Sequence, residues 1–377
     1  MWKVPLFKLN YSELENSAVN KVLNSQWLSM GENTDTLEKS FEKYIGNDVK
    51  AIAVSSGTAA LHLSMKAICI KKGDEIIVPS LSFIAQINII ESLGAVPVLL
   101  DCKSLNDWNM DLSQIKKKIN NKTRAIIILH YAGYPCEVSE ELRIFCSNKN
   151  ILIIEDAAHA PGAEINKIKC GAIGDMACFS FFSNKNISAG EGGLITVKDA
   201  ELANKLKMLR SHGMTSMSLD KIKGRSSGYD VVESGLNYRI DEIRSALAIE
   251  QLKKLDESNK KRKKNVEIYI NLLHKTSLCI PFLKNINFNK SSYHIFAILL
   301  PENINRLNFM EKMKEKGIQT SIHYPPFWKF TKYKDFFDKN DYPICDKITK
   351  QQVTLPLYPS MTEENISYVC NNIKDLI

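Results

Sequence analysis

The stretch FSFFSNKNISAGEGG, residues 179–193, sets one lysine, Lys185, among phenylalanines, small residues and glycines. A lysine beside an apolar run is costly to bury unless its charge is used or suppressed. The run that leads into it, MACFSF (176–181), reads as a buried strand, and GLITV (193–197) reads as the next one. Between them GEGG (190–193) supplies a tight connection free of side-chain bulk. Lys185 therefore stands just past a strand end.

The same kind of apolar segment recurs upstream. AIAVSSG (51–57), DEIIVPS (74–80), AVPVLLD (95–101), RAIIILH (124–130) and ILIIEDAA (151–158) are rich in Ile and Val and mostly lack polar alternation. Strands covered on both faces read this way. Helical stretches such as TAALHLSMKAIC and ELRIFCSNK lie between them. The order predicts an α/β fold, a mostly parallel sheet with helices on both faces. From about Asp241 to His274 the apolar spacing is helical with no Gly or Pro, which predicts a helix bridging two units. SYHIFAILLPE (292–302), NFMEKMKEKG (308–317) and QTSIHYPP (319–326) then suggest a smaller α+β unit. The expected division is a large domain over 1–250 and a small one over 251–377 that includes the bridging helix.

The 377 residues suit a large domain plus a smaller one. With 44% hydrophobic and 24% charged residues, disorder is excluded as the default state. The net charge of +8 is modest for this length, and a nucleic-acid partner is not expected. The one dense basic run, KKRKK (260–264), reads as a solvated helix face. Nine scattered cysteines without a C-x-x-C pair point to reduced thiols, with neither a metal site nor a disulfide framework. No run reaches membrane-spanning length, and MWKVPLFKLNYSELE meets Asn and Glu before a signal-length apolar segment forms. The expected location is cytoplasmic.

Three further segments gather around the lysine. In SSGTAALHLS (55–64) a strand runs into a helix start, where Gly57 permits close backbone approach and free N–H groups suit a phosphate. Alone, this segment is equally a capped strand–helix turn. IIEDAAHA (153–160) places Asp156 at a strand's carboxyl end, where ligands bind in open α/β sheets, with His159 three residues on. An Asp there holds a protonated ring nitrogen or a metal; as an isolated pair, a helix cap and an incidental histidine explain it as well. Lys185, once desolvated, offers a neutral amine to an aldehyde, and Ser180 stands five residues before it. A phosphate cradle, a carboxylate for a pyridinium nitrogen and an amine for an aldehyde are what pyridoxal 5'-phosphate requires.

These segments, with QWLSMG (26–31), VPSLSFIA (78–85), HYAGYPC (130–136), LRSHGM (209–214), GLNYRIDEIRSALAIEQL (235–252), SIHYPP (321–326) and LPLYPSMTEE (355–364), resemble the DegT/DnrJ/EryC1/StrS sugar aminotransferases. The resemblance runs through nearly the whole chain and implies the type I fold of pyridoxal-phosphate-dependent transferases. It implies that Lys185 is the catalytic lysine and that Asp156 pairs with the ring nitrogen. His159 takes the position that bonds the ring hydroxyl. Gly57, Thr58 and Ser180 hold the phosphate, and Phe83 stacks on the ring, although Phe83 also fits a plain core position. Asn237 reaches the phosphate of the neighbouring subunit, which implies a homodimer with shared active sites. A relative with histidine at the lysine position dehydrates sugars instead; Lys185 argues for transamination.

The implied reaction takes an amino group from glutamate, releasing 2-oxoglutarate, through pyridoxamine 5'-phosphate to a ketone on a nucleotide-diphosphate sugar. The opening, VPLFKLNYSELE through LNSQWLSMGENTDTLEKSFEKYIG, resembles the subgroup acting at C4 of a 4-keto-6-deoxyhexose. The expected conversion is dTDP-4-keto-6-deoxyglucose to dTDP-4-amino-4,6-dideoxyglucose, for surface polysaccharide such as O-antigen. A 3-keto sugar or a UDP-linked 4-keto-2-acetamido sugar is the alternative. A regulator of the same fold that binds the cofactor is disfavoured, because SSGTAAL begins near residue 55 and leaves no room upstream for a DNA-binding domain.

Overall fold

The computed structural model describes residues 2–215, 228–283 and 291–377. Its central sheet contains β1 (Lys50–Val54), β2 (Glu75–Pro79), β3 (Val96–Leu100), β4 (Thr123–Leu129), β5 (Leu152–Asp156), β6 (Met176–Ser180) and β7 (Gly193–Val197). The spatial order is β1-β7-β6-β5-β4-β2-β3. β7 runs antiparallel to both its neighbours, and the other pairs are parallel. Each strand read from the sequence is present, in a mostly parallel α/β sheet.

The absence of alternation has a direct cause. Side chains of a strand point to opposite faces in turn, and here both faces are packed. Ile52, Val54, Ile76, Val78, Ile127 and Leu129 join one core, beneath α3 (Gly57–Ala67), α4 (Ala85–Ser92) and α6 (Ala200–Leu209). Ala51, Ala53, Ile77, Ile126 and Ile128 join the other. That face is covered by α2 (Glu32–Ile45), α5 (Glu140–Ser147) and α7 (Glu242–Lys253), while α1 (Glu13–Asn24) packs on α7.

The expected bridging helix is two helices. α7 ends at Lys253, and α8 (Leu255–Leu273) starts after one intervening residue, Lys254. No Gly or Pro marks the break. Lys254 is tied to the N-terminal segment instead, through its Nζ to the Asn10 carbonyl at 2.6 Å and an ion pair with Glu15. The turn lets α7 lie against α1 and α2 while α8 lies against α11 (Glu363–Lys374). A two-stranded antiparallel sheet, β8 (Phe296–Leu299) with β9 (Gln352–Leu355), is joined by α9 (Arg306–Glu315) and α10 (Pro343–Gln351). The N-terminal segment is stitched onto this region: Val4 bridges Ile318, and the Leu357 N–H donates to the Leu6 carbonyl at 3.1 Å.

The reading of KKRKK as a solvated face needs one correction. Lys260, Lys261 and Lys264 are exposed, but Arg262 is buried. Its Nη1 donates to the carbonyls of His294 and Leu357 at 3.1 and 3.0 Å. All nine cysteines are free thiols. No helix among the described residues is long and apolar enough to cross a membrane.

Candidate active site

A cavity of about 420 Å³ opens at the carboxyl ends of the strands, where an open α/β sheet presents its ligand crevice. Gly57 and Thr58 reach it from the end of β1, Phe83 from the loop after β2, Asp156 and His159 from β5, and Ser180 and Lys185 from β6. Every candidate residue from the sequence lines this cavity except Asn237.

At one end, Ser56 caps α3 by accepting the Ala59 N–H at 3.0 Å. The leading N–H groups of a helix have no partner within it, so this end offers donors. Gly57 is required by space: a Cβ there would lie 2.9 Å from the Ser180 Cβ. Only a glycine lets the helix start and the β6 end close into one cradle, with the Thr58 and Ser180 hydroxyls beside it.

Asp156 forms the buried floor. Its Oδ2 accepts from Gln86 Nε2 at 2.7 Å, and its Oδ1 accepts from the Ala158 N–H at 3.2 Å. Burial pushes this carboxyl above its usual range, while the Gln86 bond, the Ala158 N–H and the charge of Lys185 act in the opposite sense. Lys185 keeps access to the cavity, but protein surrounds it elsewhere. That desolvation lowers its amine to about 8, against the pull of Asp156. Glu155, the neighbouring carboxylate, points to the opposite face of β5 and is structural. It accepts from His130 Nε2 and from the Gly171 and Gly174 N–H groups at 2.7–2.8 Å.

His159 is held neutral, burial being the main cause and Lys185 the next. The Ala132 N–H donates to its Nδ1 at 3.3 Å, so the ring proton sits on Nε2, 2.9 Å from the Tyr324 hydroxyl. Tyr324 thus accepts from His159 and keeps its own proton to donate into the cavity it lines. Phe83 is 53% exposed, an unusual state for a phenylalanine, with its ring 5.5 Å from that of Tyr324. Its exposed area belongs to the cavity mouth rather than to the core.

Asn237 is exposed and bridges Ser211, away from its own chain's cavity. Gln86, Tyr324, Asn184 and His323 are site residues to which sequence reasoning gave no role. Among the described residues two groups have metal-ligand composition, half-buried Asp101 with buried Cys102 and Cys345, and buried His130 with Glu155 and Cys170. Their carboxylates are already engaged by protein donors: Asp101 accepts the N–H groups of Ile344 and Cys345 at 2.9 Å, and Glu155 is bonded as above.

The donor set matches pyridoxal phosphate part by part. A helix start with two hydroxyls suits the phosphate, a carboxylate supported by Gln86 suits a protonated ring nitrogen, and a lysine with a lowered pKa suits an aldehyde.

The sequence model of the DegT/DnrJ/EryC1/StrS aminotransferase family matches residues 10–374. The uncharacterized protein MJ1066 of Methanocaldococcus jannaschii is 36% identical over 381 residues, covering 99% of this chain and 97% of its own length. SpsC of Bacillus subtilis, a spore coat polysaccharide biosynthesis protein, is 32% identical over 371 residues, covering 96% of this chain and 94% of its own. Among solved structures, Spr1654 of Streptococcus pneumoniae, described as a sugar aminotransferase and solved in its PMP form, superposes with a TM-score of 0.91. It is 27% identical and matched over 99% of both chains.

Proposed function

The chain belongs to the DegT/DnrJ/EryC1/StrS aminotransferase family of pyridoxal-phosphate-dependent sugar aminotransferases, and from that premise we propose that it moves the amino group of glutamate to C4 of dTDP-4-keto-6-deoxyglucose. The product is dTDP-4-amino-4,6-dideoxyglucose, a precursor for surface polysaccharide. The observation that carries the reading is the convergence of Lys185 and Asp156 on one cavity that also holds a helix start. The choice of a 4-keto-6-deoxy sugar rests on the N-terminal stretch quoted above. A polysaccharide role is supported by the likeness to SpsC.

When bound, pyridoxal phosphate supplies an electron sink for a carbanion and carries the amino group between donor and acceptor. The protein's residues do the rest. Gly57, Thr58 and Ser180 would bind the phosphate, and Asp156, whose charged form the Gln86 bond favours, would orient the ring through its nitrogen. Phe83 covers one ring face, and His159 with Tyr324 fixes the edge carrying the ring hydroxyl. Lys185, with its amine near 8, would deliver to the sugar's reacting carbon the proton that it takes from the cofactor carbon bearing the amino group. Asn237 acts on a second copy of the chain, so the working unit is a homodimer. In this reading residues 1–250 form the cofactor-binding unit and 251–377 the smaller one.

The test is a panel of nucleotide-linked 4-keto and 3-keto sugars incubated with the enzyme and glutamate, read by mass. The expected result is conversion of dTDP-4-keto-6-deoxyglucose to its amine. Conversion confined to a 3-keto or a UDP-linked 2-acetamido sugar overturns the substrate assignment.

A further inference from the structure

Behind the wall that carries Lys185 lies a second cavity of about 20 Å³, lined in part by Asn184, His294 and His323. Asn184 and His323 also line the larger cavity, so the two spaces share a wall. Two buried atoms at this wall, Asn184 Oδ1 and His294 Nε2, have no hydrogen-bond partner among the described residues. His294 is 3% exposed, so bulk water does not reach it. Buried polar atoms in folded proteins are almost always paired, with protein or with an ordered water.

The bonding roles around His294 are determined by its neighbours. Asn186 Nδ2 donates to Asn259 Oδ1 and to the Ser292 carbonyl, both at 2.8 Å. Its Oδ1 is therefore the acceptor that faces His294 Nδ1 at 2.9 Å, and the ring proton sits on Nδ1. Burial, reinforced by His159 and Lys185, keeps the ring neutral, so Nε2 presents a bare lone pair. Asn184 and His294, which line the small cavity, thus leave two buried acceptors, Nε2 and the Asn184 carbonyl oxygen, and both require a donor. A water molecule carries two O–H groups, and about 10–15 Å³ suffices for one.

We propose that this cavity binds a single water that donates one hydrogen bond to His294 Nε2 and one to Asn184 Oδ1. The consequence lies on either side of Lys185. Asn186 is fastened to His294 directly, and Asn184 is fastened to the same ring through the water. His294 is itself anchored, its N–H donating to the Ala132 carbonyl at 2.9 Å and its carbonyl accepting from Arg262. His294 is a positioning residue that holds the segment presenting the Lys185 amine. That consequence rests on Lys185 being the cofactor lysine; the water site does not.

The experiment is a crystal structure of the cofactor-loaded enzyme at a resolution that shows ordered waters. The expected result is one density peak about 2.7–3.2 Å from both atoms. An empty cavity, a peak touching only one atom, or a direct bond between the two side chains overturns the proposal. His294→Asn supplies the second measurement. An asparagine amide nitrogen falls near the imidazole Nδ1 position, so the bond to Asn186 is kept and the Nε2 acceptor is lost. The expected outcome is loss of the peak and a shift in the pH midpoint of the bound cofactor's absorbance change. An unmoved midpoint with the peak gone overturns the positioning role. If the variant fails to fold, the wild-type density decides the water site. Borohydride labelling of a lysine other than Lys185 would remove the cofactor reading and leave the peak untouched.

Discussion

Gln86 donates its Nε2 hydrogen to Asp156 Oδ2 at 2.7 Å, and both side chains are buried. The Ser82 hydroxyl donates to Gln86 Oε1 at 3.2 Å, which sets the amide's orientation. Gln86 thus presents its donor to the form of Asp156 that a protonated ring nitrogen needs. Hydrogen bonds to a charged group are worth about 1.5–3 kcal/mol. Gln86→Leu is expected to lower kcat roughly ten- to hundredfold if that energy is expressed in the transition state. Losing a donor to the ionised form raises the Asp156 pKa further, so the acid limb of the pH–activity profile moves to higher pH. An acid limb at the wild-type position, measured on folded variant, refutes the role.

Lys185 gives a prediction in pH. Its amine is lowered to about 8 from 10.5, and only the neutral amine attacks an aldehyde. The free-amine fraction at pH 7 is then about two orders of magnitude above that of an ordinary lysine. The rate at which apoprotein captures pyridoxal phosphate is expected to rise with pH up to about 8 and to level off above it. A rate still climbing through pH 9 and 10 would show an ordinary lysine. Borohydride should fix the cofactor to Lys185, and Lys185→Ala should bind cofactor without turnover.

Gly57→Ala tests the phosphate cradle. The added methyl would stand 2.9 Å from the Ser180 Cβ, so the helix start and the strand end must part. Overpacking of this kind costs about 1–3 kcal/mol. The expected outcome is a lower melting temperature and weaker cofactor binding, measured by titration of absorbance. Unchanged affinity would place the phosphate elsewhere.

The shared site is tested by mixing two inactive chains. Lys185→Ala retains Asn237, and Asn237→Asp retains Lys185 but, if Asn237 reaches the partner's site, sets a negative charge near the phosphate. With a two-fold interface, one of the two sites in each mixed dimer combines the intact residues from both chains. Refolding the variants together should restore activity to that site. Purified heterodimers without activity, from an Asn237→Asp chain inactive alone, would confine Asn237 to its own subunit.

The central sheet was legible because both its faces are packed, which leaves Ile126, Ile127 and Ile128 as an unbroken apolar run. Asp156, Ser180 and Lys185 were legible because the strand ends that carry them are. The residues that support them were not. Gln86 comes from the helix AQINIIES, in which Asn88, Glu91 and Ser92 are polar as well, so nothing local marks it out. Tyr324 arrives from a loop 165 residues beyond His159, a distance that no local pattern spans. Arg262 did carry a signal. Ser258, Asn259, Asn265, Val266 and Tyr269 are buried with it at helical spacing, but the surrounding lysines hid that face. The break at Lys254 has no local Gly or Pro to mark it, and what distinguishes the position is a tertiary tie to Asn10 and Glu15.

The N-terminal segment pairs with residues made very late. The Leu6 N–H donates to Gln319 Oε1 across a separation of 313 residues, and Val4 bridges Ile318. Val4 is made long before Ile318, so on the ribosome this pairing waits until most of the chain has emerged. Domains form in order of emergence, and closing so long a loop carries an entropic cost before any contact rewards it. This pairing therefore forms late, a clasp that shuts only once Ile318 and Gln319 have been made. A nascent chain stalled before Ile318 would keep its first residues open to proteolysis, whereas the released protein would protect them.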